Sequence, residues 1–75
     1  MKQPATPPPS VADRYAIAER ELADYHELMR RAALAELIAE TPQQRLGARL
    51  MFRFGRNMRD RWRSRVAELL RELAV

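Results

Sequence analysis

Between Ser10 and Pro42 apolar residues recur at alternating three- and four-residue steps. Tyr15, Ala18, Leu22, Tyr25, Met29 and Ala32 keep this spacing unbroken, and at about 100° of turn per residue Val11 and Ala33 join the same stripe. Asp13, Glu19, Arg20, Asp24, Glu27, Arg30 and Arg31 point elsewhere. A seam of this kind belongs to a bundle or coiled-coil helix. Its start is marked by Ser10 with Asp13 three residues on, a variant of the capping box. No Gly or Pro then intervenes before Pro42, so the pattern predicts a first helix over 11–40.

Thr41-Pro42-Gln43-Gln44 announces a second helix. Thr41 is an N-cap, Pro42 occupies the first helical position where its missing N–H is no loss, and Gln44 can reach back to the cap. Pro42 also disfavours the α conformation at Thr41, so the first helix must stop just before it. A joint this short joins antiparallel neighbours. The second helix is predicted over 42–74. Gly47, Leu50, Met51, Phe54, Met58, Trp62, Val66, Leu69 and Leu73 fall on one face of it, in one register across Gly55. Gly55-Arg56-Asn57, with Asp60 three residues after Asn57, could end one helix and cap another, a possible break. A break would normally reset the phase, so the favoured expectation is one helix, continuous or bent at Gly55, with Gly47, Ala48 and Gly55 as points of close approach for the first helix.

The resulting expectation is an all-α helical hairpin of two long antiparallel helices, 11–75, completed by dimerisation or by a partner. Residues 1–10 hold four prolines and form an expected disordered tail. A chain of 75 residues has little capacity to bury a core of its own. The absence of cysteine removes disulfides, thiolate metal sites and Cys nucleophiles. His26 is the sole histidine, and no Glu-x-x-His pattern or glycine-rich phosphate loop is present. No catalytic residue, cofactor or metal is therefore expected.

Charge divides the chain. Residues 1–41 carry five basic and seven acidic side chains, a net −2, whereas 42–75 carry nine arginines and three acids, a net +6. Arg45, Arg49, Arg53, Arg56, Arg59 and Arg63 cluster within about 120° of the second helix, with Phe52 among them. Such a line suits a phosphate backbone or an acidic protein surface. It equally suits a solvated face whose arginines bridge to Glu19, Asp24, Glu27 or Glu36. Arg65 and Glu36 fall inside the apolar stripes of their helices, and Arg61 lies at the edge. Each must reach solvent or meet an opposite charge.

Leu34 and Ile38 point away from the first helix's core stripe, with Leu37 beside it, while Phe52 and Leu70 lie off the second helix's apolar face. Uncovered apolar groups of this kind mark an interface. The reading that follows is a small, non-enzymatic regulatory or adaptor protein of bacterial or phage type, binding a protein partner (itself or another) through Leu34, Leu37, Ile38, Phe52 and Leu70. The arginine face would steer encounter. A nucleic-acid-binding regulator using that face is the alternative. An amphipathic helix on anionic lipid, inserting Phe54, Trp62 and Leu69, ranks below both. No signal-peptide stretch or membrane-spanning run of about 20 apolar residues occurs, which makes the cytoplasm the expected compartment.

Overall fold

A computed structural model describes residues 7–75; of these, 7–10 are exposed and without regular structure. The expected tail lies partly outside the described residues, since 1–6 are not among them. Two helices follow, α1 (Val11–Ile38, 28 residues) and α2 (Pro42–Ala74, 33 residues), with no strand among the described residues. At about 1.5 Å per residue they are roughly 42 and 50 Å long. They pack against each other as an antiparallel hairpin.

Both starts are sealed by reciprocal caps. Ser10 Oγ accepts from the Asp13 N–H at 3.1 Å, while Asp13 Oδ2 accepts from the Ser10 N–H. Thr41 Oγ1 accepts from the Gln44 N–H at 3.1 Å. The Gln44 amide oxygen accepts from the N–H groups of both Glu40 (2.8 Å) and Thr41 (3.3 Å). One glutamine thus satisfies two donors that the chain reversal would orphan. Ahead of Pro42, Thr41 is extended at φ −124°, ψ 155°, as the proline requires. Ala39 is extended too, so α1 ends at Ile38, two residues before the expected limit.

α2 runs through Gly55 unbroken. The glycine lies at the tightest point of the hairpin: a Cβ placed on it would meet Met29 Cγ at 3.0 Å and Leu28 Cδ2 at 3.5 Å. Gly47, by contrast, has nothing within 4 Å of its would-be Cβ. Close approach therefore occurs at Gly55 but not at Gly47, and against Met29 and Leu28.

The seam on α2 also differs from the bulky stripe expected of it. Ala48, Gly55 and Leu69 are buried, and Phe52, Arg59, Trp62 and Val66 are half-buried. These seven positions alternate in steps of four and three, turned by roughly 60° from the predicted stripe, while Met58 and Arg65, also half-buried, remain on the predicted side. Leu50, Met51 and Phe54 are left 56%, 49% and 52% exposed, and Leu73 is similarly open. The physical reason is size. Ala18 and Ala32 of α1 and Ala48 and Gly55 of α2 allow the axes to close together, and dispersion contacts fall off steeply with any gap. Bulky residues then border the seam rather than fill it.

The smallest dimension of the chain is 13 Å, about one helix diameter. The hairpin is a single layer, whereas a stable domain ordinarily stacks two. Among the described residues, only Leu69 of the large side chains is fully buried. The accessible surface is 6281 Å², against about 4,800 Å² for a compact monomer of this mass. Uncovered helix faces supply part of that excess.

Candidate functional site

α1 runs apolar nearly all round its final two turns, so a single neighbour cannot cover it. At this closed end of the hairpin Leu37 is 81% and Ile38 78% exposed, and Leu34 is half exposed. Leu46 at the start of α2 and Leu70 near its end are open as well. Phe52 is not: it is half-buried in the seam and drops out of the candidate interface. Beside Ile38 an open groove of about 740 Å³ lies over the seam, bordered by Leu28, Ala35, Gly47 and Met51 with Arg31 and Gln44 at its rim. Small side chains make this hollow, because Ala32, Ala35 and Gly47 present little bulk between Leu28 and Met51.

The arginine face is narrower than the sequence suggested. Arg59 sits in the seam with its side chain only 23% exposed, paired with Asp60 at 3.0 Å, and so leaves the set. Arg49 bridges to Glu36 of α1 at 2.7 Å, the one bridge made out of those expected to Glu19, Asp24, Glu27 and Glu36. Arg45, Arg53, Arg56 and Arg63 are exposed and have no ion pair among the described residues. From Arg45 to Arg63 they span roughly 27 Å of helix.

The misplaced charges find local solutions. Arg65 donates to Glu68 one turn along its own helix at 3.1 Å, and Glu36 takes Arg49. Arg65 and Glu36 cannot meet, because Arg65 lies sixteen residues, or about 24 Å, beyond the level of Arg49. No polar or charged side chain is buried among the described residues. On the outer side of α1, Glu27 accepts from Arg30 (2.7 Å) and Arg31 (3.1 Å). Those hydrogen bonds hold its carboxyl down at about 2. Tyr15 donates its hydroxyl to Glu19, and that bond to a carboxylate pushes the phenol above its ordinary value. His26 is exposed.

The lipid-inserting set is divided, since Leu69 is fully buried against α1 and Trp62 half-buried, while Phe54 is open. No described helix is long and apolar enough to cross a membrane. No protein family, curated protein or solved structure matches the chain.

Proposed function

We propose that this chain is a small, non-enzymatic regulatory or adaptor protein, of bacterial or phage type and working in the cytoplasm, that captures a larger protein at the closed end of its hairpin. The observation that carries this reading is the exposure of Leu37 and Ile38 side by side with Leu34 half open, at an end where the Gln44 amide caps the chain reversal. Contiguous apolar side chains on a fixed scaffold are what a partner helix or groove can bury. The free arginines of α2 raise the encounter rate with an acidic partner.

The test is capture from the native host with the intact chain and with Leu34→Asp/Leu37→Asp. Both positions face away from α2, so the helical circular dichroism should persist while the captured protein is lost. Equal capture by the variant would end the reading. A nucleic-acid role is favoured by one observation, the four arginines without carboxylate partners. It requires binding to random duplex DNA or RNA that weakens steeply as salt rises, and absence of binding at low salt would remove it.

A further inference from the structure

The two broad faces of the hairpin differ in chemistry. Arg45, Arg49, Arg56 and Arg63 flank the seam on one side of α2; Met51 and Phe54 flank it on the other. Ile17, Leu28 and Ala35 of α1 lie on the same side as Met51 and Phe54, and the groove joins Leu28, Ala35 and Met51. Ile17, Ile38, Leu50, Met51 and Phe54 are each about half exposed or more. At about 200 Å² for a fully exposed large apolar side chain, they leave roughly 600 Å² uncovered per copy, close to the roughly 800 Å² each partner gives to a standard interface. A single layer with one such face lacks its second layer.

We infer that a second copy of this chain supplies it, with α1 of each copy lying over α2 of the other about a two-fold axis parallel to the helices. Such an axis preserves height along the hairpin. Within one chain Arg14 stands level with Glu72, Leu28 and Met29 with Gly55, and Glu36 with Arg49. Ten residues on from Arg14 and about ten back from Glu72, Asp24 stands level with Arg61. Both are exposed on the outer edges of the apolar face, and neither has an ion pair among the described residues. In the pair, Asp24 of one copy meets Arg61 of the other, twice. Leu28 and Ala35 come to the heights of Phe54 and Met51 of the second copy, apolar on apolar.

Charge selects this arrangement over its rival. The acidic half of each chain, net −2, lies over the basic half of the other, net +6, and both arginine faces point outward. A two-fold axis across the helices would invert the heights. Centred on the face, it would set Gly47 and Met51 against Arg65 and Arg61, guanidinium groups over apolar surface, whereas the parallel axis brings Arg65 to the height of Glu21 and Arg61 to that of Asp24. The inference is tested apart from the proposed protein partner: Ile38 belongs to both surfaces, but Leu34 and Leu37 stay uncovered in the pair.

Sedimentation equilibrium of the full chain at low salt tests it. The expected result is a concentration-dependent shift from 8.8 kDa to twice that mass. Asp24→Arg and Arg61→Asp should each weaken association by at least roughly tenfold, since each sets two like-charge contacts across the interface. Mixing the two variants in equal amounts should restore it, because a mixed pair holds two opposite-charge contacts, one the native Asp24–Arg61 and the other with the charges exchanged. A wild-type chain that stays monomeric overturns the proposal. So does a mixture no tighter than either variant alone.

Discussion

Leu28 of α1 lies against Gly55 of α2, its Cδ2 3.5 Å from where a Cβ would stand, and this contact sets how closely the helices approach. Gly55→Ala would gain roughly 1 kcal/mol of helix propensity but must displace Met29 Cγ, 3.0 Å away. Gly47→Ala meets nothing. Thermal unfolding should therefore show Gly47→Ala raising Tm by about 4–8 °C and Gly55→Ala gaining clearly less. Equal gains would mean that the helices do not close at Gly55.

Leu69 and Leu73 give a second contrast. Leu69 is fully buried and Leu73 46% exposed, though both belong to the predicted apolar stripe. Leu69→Ala should cost about 2–4 kcal/mol and Leu73→Ala less than about 1, measured by denaturant unfolding at one protein concentration. A reversed order would return the seam to the bulkier stripe.

How far the fold was legible follows from these residues. The caps at Ser10 and Thr41, the stop imposed by Pro42 and the antiparallel reversal all depend on chemistry within four residues, and the sequence displays it directly. Continuity through Gly55 was the favoured of two readings, from an apolar phase that does not reset, while Gly55, Asn57 and Asp60 left a break open. The rotation of the α2 seam was not. That helix carries two adjoining apolar stripes, and counting hydrophobic mass favours Leu50, Met51 and Phe54, whereas packing favours Ala48 and Gly55. The regular four–three spacing of Ala48, Phe52, Gly55, Arg59, Trp62, Val66 and Leu69 was the available signal, hidden because Arg59 and the small residues interrupt it chemically. The same rotation moves Phe52 and Arg59 from the arginine face into the seam.

Glu27 provides a pH prediction. Its carboxyl is held at about 2 against an ordinary 4.5 by Arg30 and Arg31. A lowered folded-state value means that its ion pairs contribute above about 4.5 and that the contribution is lost as pH falls from there through about 2. Carbon-detected NMR of the Glu27 carboxyl should show a midpoint near the lower value, moving upward in high salt. A midpoint at the ordinary value would show that the pairs are not held in solution.

The free arginines make a fourth test. If polyphosphate binds α2, replacing Arg53 and Arg56 by Gln should shallow the dependence of log affinity on log salt by roughly two contacts' worth. Arg59→Gln, in the seam and already engaged by Asp60, should leave that slope unchanged while lowering stability. A slope altered equally by all three positions would contradict the division between seam and face.

The row of Ala18, Ala32, Ala48 and Gly55 has a mechanical consequence. The width of the hairpin is gauged by methyl groups and a bare Cα, so a larger side chain at any of them acts as a shim driven between two beams. The displacement would carry outward to Leu37 and Ile38 at one tip and to the Arg14–Glu72 tie at the other. Volume changes in this hidden row therefore reposition surfaces they never touch.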